Sequence, residues 1–264
     1  MAPAKWLGAV IDIARRAGAA ILEVYESGKV AVTSKADASP LSEADLRSHR
    51  IIVEGLAALT PDWPVLSEES VPVEFSERAR WQRYWLVDPL DGTREFLSRN
   101  GEFTVNIALI DGHEPVLGVV YAPARQLLYY GIPGVGAFRA YADEPATPIV
   151  ARRHAPSPPR IVGSRSHRGD SLDALLSKIG PHQLVTVGSS LKLCMVAEGS
   201  ADLYPRLGPT SEWDTAAAHA VLLAAGGLLT TTSGAPLTYN SRAGLLNPHF
   251  LAYADREHPW HRLL

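Results

Sequence analysis

The spacing of apolar residues changes sharply before Pro64, and this change limits the chain to folds that combine helices with sheets. From Trp6 to Tyr25 the apolar residues recur every three or four positions, which predicts an amphipathic helix. A second helical pattern follows Ser42 and ends before Pro61. Beyond Pro64 the apolar residues form short runs bounded by Gly, Pro or acidic residues, which is typical of strands.

The strand-like runs and a proline-rich connector predict two parts. The runs are Pro64 to Leu66, Tyr84 to Val87, Phe103 to Ile110 and Val116 to Tyr121. From Pro145 to Pro159 the chain has five prolines and few large apolar residues, so we expect a boundary near residue 150. Residues 1–150 then form an N-terminal α+β part, and residues 151–264 a C-terminal α/β part. In the second part we expect strands at Ile161 to Val162 and Leu184 to Val187, and helices near Ser171 to Ile179, Ser190 to Glu198 and Trp213 to Ala225.

Charge and cysteine content exclude several function classes. The formal charge of the 264 residues is -3, which is too close to neutral for a protein held on a nucleic-acid polymer by its overall field. Cys194 is the only cysteine in the sequence, so an intramolecular disulfide and a cysteine zinc cage are excluded. No apolar run reaches the roughly 18 residues of a membrane helix, and Asp12 and Arg15 interrupt the N-terminal apolar stretch. We therefore expect a cytoplasmic protein without a transmembrane segment. Loose association with the inner face of the membrane, and the oligomeric state, stay open.

Two aspartates follow the apolar strand that ends at Val87. Pro89 cannot donate to a strand ladder, so we expect the strand to end and to present Asp88 and Asp91 in one small space. Close carboxylates raise each other's pKa, so such a pair indicates a bound cation or a shared proton. Because the nearby ligands are all oxygens, a hard divalent ion is favoured. Gly92 and Thr93 then open a helix whose free N–H groups suit a phosphate. The alternative is a surface turn with both aspartates in solvent.

Two further acidic residues extend this pattern. Glu68 follows the apolar run that ends at Leu66, and Asp214 lies at the expected N-cap of the last helix. Each has a plain structural alternative, a solvated loop acid for Glu68 and a helix cap for Asp214. Together with Asp88 and Asp91 they would carry four negative charges, which two Mg²⁺ ions neutralise. Two such ions about 3.5 to 4 Å apart activate water and stabilise the leaving oxygen in phosphate ester hydrolysis.

The motifs that carry these residues resemble the magnesium-dependent, lithium-sensitive inositol monophosphatase superfamily. The shared motifs are Asp88-Pro89-Leu90-Asp91-Gly92-Thr93, Ser67-Glu68-Glu69 and Trp213-Asp214-Thr215-Ala216-Ala217. Three more are similar to its 3'(2'),5'-bisphosphate nucleotidase branch of the bacterial CysQ type. These are the segment from Ser34 to Pro40, the segment from Asn100 to Asn106 and the segment from Gly188 to Lys192. The resemblance runs from about residue 10 to residue 250.

The resemblance implies a fold, a substrate and a metal. The fold is the layered αβαβα sandwich of this superfamily, of the sugar phosphatase type, with the active site between the two parts. The reaction is hydrolysis of adenosine 3',5'-bisphosphate to AMP and phosphate in sulfur metabolism, with the 5'-phosphosulfate form as a possible second substrate. The cofactor is Mg²⁺, as two or three ions, and lithium is expected to inhibit.

The resemblance also implies a role for each site residue. The metal ligands are Glu68, Asp88, the Leu90 carbonyl, Asp91 and Asp214, and Asp45 with Thr93 activates the water. The substrate contacts are Glu68, Leu90, Asp91, Gly92, Thr93, His167, Ser189, Lys192, Arg206 and Asp214. Lys192 and Arg206 are suited to the phosphate that is not cut.

Other interpretations remain open for several of these residues and for the function. Asp45 forms a capping box with Ser42, and His167 could be a surface loop histidine. The five arginines between Ala151 and Arg168 could attract the anion or be solvated linker. For the whole protein, the alternatives are the same chemistry on an inositol phosphate or sugar bisphosphate, and a nucleotide or metal sensor without turnover.

Overall fold

The structure is a computed structural model that describes residues 3–27, 32–34, 40–165, 170–258 and 260–264. The α-helices in these ranges are α1 (Leu7–Ser27), α2 (Glu43–Leu59), α3 (Phe75–Arg78), α4 (Thr93–Leu97), α5 (Asp170–Ile179), α6 (Leu191–Ala197) and α7 (Glu212–Ala224). Short 3-10 turns cover Pro3–Trp6, Pro123–Arg125 and Trp260–Leu263. None of the described helices combines the length and the apolarity that crossing a lipid bilayer requires.

The described strands form a small hairpin and two larger sheets. The hairpin pairs β1 (Val32–Ser34) with β2 (Pro40–Ser42). The seven-stranded sheet has the spatial order β3 (Val65–Ser67), β4 (Arg83–Asp91), β5 (Thr104–Asp111), β6 (Glu114–Ala122), β7 (Leu127–Ile132), β8 (Gly136–Tyr141) and β9 (Thr147–Ile149). The five-stranded sheet has the order β11 (Gln183–Val187), β10 (Arg160–Ser164), β12 (Leu203–Arg206), β14 (Phe250–Tyr253) and β13 (Leu228–Thr231).

Both faces of the seven-stranded sheet are buried, as the long apolar runs of its central strands require. On β4, Trp85 and Val87 pack in one core with α1 and α2, whereas Tyr84 and Leu86 pack in a second core with α6 and α7. The approach of α7 is close, because a Cβ on Gly118 of β6 would lie 2.0 Å from the Ala217 carbonyl oxygen. Only glycine allows this packing distance.

The five-stranded sheet completes the layers. Its Val162 and Phe250 face α6 and α7 in the second core, while Ile161 and Leu251 pack with Leu172 of α5 in a third core. The order of layers is therefore α1 and α2, sheet, α6 and α7, sheet, α5. This confirms the expected layered sandwich. The division into parts at residue 150 stays a prediction, although β9 ends the first sheet at Ile149 and β10 begins the second at Arg160.

Candidate active site

The end of β4 is longer than expected and contains an irregularity that begins at Asp88. We predicted that the strand ends at Val87, but β4 continues to Asp91 through an irregularity. Asp88 pairs with Asn106 and Asp91 pairs with Thr104 in β5, and the register shifts between them. Pro89 lies inside this bulge, where its missing N–H costs no ladder bond. The Asp88 side chain is 1% exposed, so the surface-turn alternative is wrong for this residue.

Hydrogen bonds fix the carboxylates of the β4 end. The Leu90 N–H donates to Asp88 Oδ1 at 3.0 Å. The Ser190 N–H donates to Asp91 Oδ2 at 2.6 Å, and the Asn106 amide donates to the same oxygen at 3.4 Å. Gly92 then takes a left-handed conformation with φ of 92° and precedes α4, as the sequence predicted for a helix opening there.

Asp214 and Asp45 occupy equivalent positions on two helices. The expectation that Asp214 is the N-cap of α7 was wrong, because the helix begins at Glu212 with Ser211 as its N-cap. Asp214 is the third helical residue and accepts hydrogen bonds from the Ser211 N–H at 2.9 Å and the Thr210 hydroxyl at 2.7 Å. Asp45 does the same in α2, where the Ser42 N–H lies 2.9 Å from its carboxylate. Both are capping-box acids, which holds their side chains in place.

One cavity of about 260 Å³ brings most of the predicted residues together. It lies between the β4 end, the start of α6 and the start of α7. The predicted site residues that line it are Glu68, Asp88, Leu90, Asp91, Gly92, Thr93, Ser189, Lys192, Arg206 and Asp214. Asp45 does not belong to the described lining; it is 1% exposed and acts electrostatically on Asp88. His167 and residues 35–39 lie outside the described residues.

The carboxyl groups on the acidic side of the cavity resist ionisation. Burial, reinforced by Glu68, Asp91 and Asp214, raises the pKa of Asp88 well above its ordinary value. Burial and the charge of Asp214 raise the pKa of Asp91 to about 7. Burial likewise raises the pKa of Asp214. Such a cluster resists ionisation unless a cation enters it.

The basic side of the cavity consists of Lys192 and Arg206. Burial lowers the pKa of Lys192 to about 8, even though the charge of Asp91 opposes this shift. Its ammonium donates to the Ser189 carbonyl and, at 3.5 Å, to the Val187 carbonyl, and it lies 5.6 Å from the centre of the Tyr204 ring. Arg206 donates to the Pro209 carbonyl. An anion that reaches this side meets two cations.

Three arginines of the Ala151 to Arg168 run are held by the protein itself. Arg152 pairs with Asp202, Arg160 donates to the Gly199 carbonyl, and Arg165 pairs with Glu102. Their positive charge therefore has structural partners. The run does not serve as a solvated linker at these positions.

Sequence reasoning missed several residues that line the cavity. They are Arg94, Glu95, Ser164, Ser190, Leu193, Tyr204, Thr210 and Thr215. Arg94 and Glu95 directly follow the Asp88–Thr93 motif, and Ser190 is the first residue of a predicted helix, so these residues had a local signal. Tyr204 and Ser164 lie on strands β12 and β10, and only the packing of the two sheets brings them to the site.

The oxygen atoms that line the cavity are of the type that binds a hard divalent cation. Carboxylates of Glu68, Asp88, Asp91 and Asp214 and the Leu90 carbonyl surround the cavity, and Mg²⁺ prefers such oxygen ligands. In the described part of the chain, no three His, Cys, Asp or Glu side chains already form a closed ligand group. The pKa values of Asp88, Asp91 and Asp214 are raised, as is expected for the carboxyl groups of a cation site before the cation binds.

Comparisons with known proteins agree on one family. Residues 3–260 match the family model described as the inositol monophosphatase family. The 3'(2'),5'-bisphosphate nucleotidase CysQ of Salmonella typhimurium is 51% identical over 242 residues, which are 91% of this chain and 96% of that protein. The protein of the same name from Escherichia coli K12 is 51% identical over 245 residues, 92% of this chain and 98% of the relative.

Solved structures give the same result for the fold. The crystal structure of CysQ from Bacteroides thetaiotaomicron is 42% identical, with a TM-score of 0.82 over 95% of this chain and 97% of that one. The inositol monophosphatase from Anabaena is 25% identical, with a TM-score of 0.76 over 98% of this chain and 94% of that one.

Proposed function

Because the chain belongs to the inositol monophosphatase family, we propose that it is a Mg²⁺-dependent phosphatase that cleaves the 3'-phosphate of adenosine 3',5'-bisphosphate to give AMP and phosphate. The 5'-phosphosulfate form is the second substrate that we propose. The observation that carries the proposal is the cavity in which four carboxylates face Lys192 and Arg206. A substrate with two phosphates matches this division, since one phosphate needs cations and the other needs fixed basic groups.

The acidic residues have the role of holding Mg²⁺. We assign Glu68, Asp88, Asp91, Asp214 and the Leu90 carbonyl to this role because they line the cavity with oxygen ligands. When bound, Mg²⁺ supplies Lewis-acid stabilisation of the phosphate ester and lowers the pKa of water. The number of ions, two or three, stays a prediction.

Asp45 and Thr93 have the role of moving the proton of the attacking water. Thr93 lines the cavity at the start of α4, and its hydroxyl accepts a proton from water while it donates its own toward Asp45. The water oxygen then attacks phosphorus, and the bond to the 3'-oxygen breaks with its electron pair on that oxygen. The 3'-oxygen takes a proton from solvent water to give the hydroxyl of AMP, and Asp45 returns its proton to solvent. Asp45 is held in its helix by the Ser42 N–H and hydroxyl, which fixes the acceptor.

The remaining residues bind the nucleotide. Lys192 and Arg206 neutralise the phosphate that is not cut, while Ser189 supplies a hydroxyl beside them. We keep His167 as a proposed contact on the basis of the sequence resemblance. An inositol phosphate or a sugar bisphosphate is the alternative substrate, and the higher identity to relatives named as bisphosphate nucleotidases supports the nucleotide.

Phosphate release from a substrate panel tests this proposal. The panel is adenosine 3',5'-bisphosphate, its 5'-phosphosulfate form, inositol 1-phosphate and fructose 1,6-bisphosphate, each with and without Mg²⁺ and with millimolar lithium. We expect the highest kcat/KM on the two nucleotides, no release without Mg²⁺ and inhibition by lithium. Highest kcat/KM on inositol 1-phosphate would shift the assignment to the alternative, and binding of the nucleotide without any release would indicate a sensor.

A further inference from the structure

Two carboxylates accept hydrogen bonds from the turn of residues 188–190. The Gly188 N–H donates to Glu102 Oε2 at 2.8 Å, and the Ser190 N–H donates to Asp91 Oδ2 at 2.6 Å. Between them Ser189 has a φ of 51°, a left-handed conformation that is unfavourable for a residue with a Cβ. Such a conformation persists only where surrounding contacts fix it, and it often occurs at functional sites. The turn carries Ser189 and leads into the helix that carries Lys192.

Glu102 is a buried acid whose charge is fully compensated. Its side chain is 7% exposed. Arg165 donates to both of its oxygens, at 2.8 and 2.9 Å, and Arg125 donates to Oε1 at 2.8 Å. Burial alone would raise the pKa of Glu102, but the hydrogen bonds from Arg165 and Gly188 outweigh it and lower that pKa below its ordinary value. The carboxylate is therefore charged and rigidly held at neutral pH.

The turn is pressed against the backbone beside Glu102. A Cβ on Gly188 would lie 2.9 Å from the Glu102 carbonyl oxygen and 2.4 Å from Glu95 Cγ. Glycine is therefore required at position 188 for close approach. On the other side of the turn, the Ser190 hydroxyl donates to Asn106 Oδ1 at 2.8 Å and contacts the Thr104 hydroxyl at 2.9 Å. Ser190 thus has anchors of its own, whereas the Gly188 N–H has Glu102 as its acceptor.

We propose that Glu102 is a positioning residue that sets the orientation of the Gly188–Ser190 turn, and so the placement of Ser189 and Lys192 relative to Asp91. The effect on substrate rests on the proposed function; the effect on the turn does not. Loss of Glu102 releases the Gly188 end of the turn, while Ser190 keeps Asp91 in place. Binding of the bisphosphate should weaken, and the step at the metal-binding carboxylates should continue.

The test compares Glu102→Ala and Glu102→Gln with Glu198→Ala and Glu198→Gln. Glu198 is a matched control because its side chain is only 14% exposed and accepts hydrogen bonds from Arg139 and from the Tyr129 hydroxyl, both at 2.9 Å. It lies at the opposite end of α6. In Glu102→Ala we expect KM for adenosine 3',5'-bisphosphate to rise about 10- to 100-fold, with kcat within about 3-fold of the wild type. Glu102→Gln retains an acceptor for the Gly188 N–H, so its KM should rise less than that of Glu102→Ala. The Glu198 variants should leave KM unchanged.

Amide hydrogen exchange gives a readout that does not depend on the substrate. The peptide that contains Gly188 should exchange faster in Glu102→Ala than in Glu198→Ala. If the wild-type protein releases no phosphate, the proposed function fails and the exchange comparison alone decides the role of Glu102. Equal exchange in the two variants overturns that role. A KM that stays unchanged in an active Glu102→Ala enzyme, or a fall confined to kcat, also overturns it. If Glu102→Ala does not fold, Glu102→Leu, which also removes the acceptor of the Gly188 N–H, carries the same comparisons.

Discussion

The carboxylates of the cavity and the carboxylate of Glu102 are buried close to the same turn, yet their pKa values move in opposite directions. Burial and neighbouring negative charges raise the pKa of Asp88 and Asp91. Arg165 and Arg125 instead bring the pKa of Glu102 down. Burial raises the pKa in both regions, but at Glu102 the hydrogen bonds from Arg165 and Gly188 outweigh it. A buried acid that accepts hydrogen bonds from arginine stays ionised and stabilises the fold, whereas crowded carboxyl groups resist ionisation and are suited to bind a cation.

The largest expected effect is on Asp88. Asp88→Asn removes an ionisable oxygen ligand from the acidic cluster, and phosphate release with Mg²⁺ should fall by several orders of magnitude. Thermal unfolding of the metal-free protein should show no loss of stability, because the neutral amide of Asn never requires a charge to be buried at this position. Turnover close to the wild type would contradict the proposed role of the acidic cluster.

Asp202 is the matched control for that substitution. It is a buried acid that, like Glu102, has arginine partners: it accepts a hydrogen bond from the Arg160 backbone N–H at 2.7 Å and pairs with Arg152. Asp202→Asn should lower the free energy of unfolding by about 1 to 3 kcal/mol and leave kcat near that of the wild type. If Asp202→Asn and Asp88→Asn lose activity alike, the distinction between the two regions fails.

Asp91 allows the comparison to be tested by pH. Its pKa is raised to about 7, so its protonated form stabilises the fold below its unfolded pKa of about 3.9, and this contribution is lost as the pH rises to 7. In metal-free protein at pH 8, Asp91→Asn should therefore be more stable than the wild type by about 1 to 3 kcal/mol. The difference should vanish near pH 4. Denaturant unfolding with a chelator measures it, and lower stability of the variant at pH 8 would contradict the prediction.

Lys192 is the buried cation of the site, and its loss should affect binding. Lys192→Ala should weaken binding of the bisphosphate by about 1 to 3 kcal/mol. Binding of a nucleoside monophosphate should change little, because only the bisphosphate presents the second phosphate. Titration calorimetry with both ligands measures the difference. Lys178, whose ammonium is exposed and donates to the Leu264 carbonyl, supplies the control variant Lys178→Ala. Equal losses on both ligands would remove Lys192 from this role.

An exposed acid should give the smallest effect. The Glu43 side chain is 53% exposed and accepts from Arg47 Nε at 2.9 Å on the surface of α2. Glu43→Gln should change the free energy of unfolding by less than about 0.5 kcal/mol and leave phosphate release unchanged. A larger loss of stability would mean that the exposed Glu43–Arg47 pair contributes as much as the buried acids that pair with arginine.

The helices and strands could be predicted wherever one periodic pattern dominated. The helix predicted from Trp6 to Tyr25 occurs as α1 after a short 3-10 turn, and the helix after Ser42 occurs as α2. The family was also within reach of the sequence, because its motifs are contiguous, and the resemblance is confirmed by relatives that cover almost the whole chain. The exact ends were less predictable. Pro89 suggested a strand end, but pairing with β5 resumes at Asp91 beyond the bulge.

The sequence by itself determined the local elements, the acidic motifs and the family, since each depends on residues that are neighbours along the chain. Only the tertiary structure decided which carboxylates are compensated. Arg165 lies 63 residues from Glu102, and Ser190 lies 99 residues from Asp91. These pairs form because both sheets pack against α6 and α7, and packing of distant segments leaves no periodic pattern in the sequence. The same packing brings Asp214 and Lys192 to one cavity and makes one site from separate motifs.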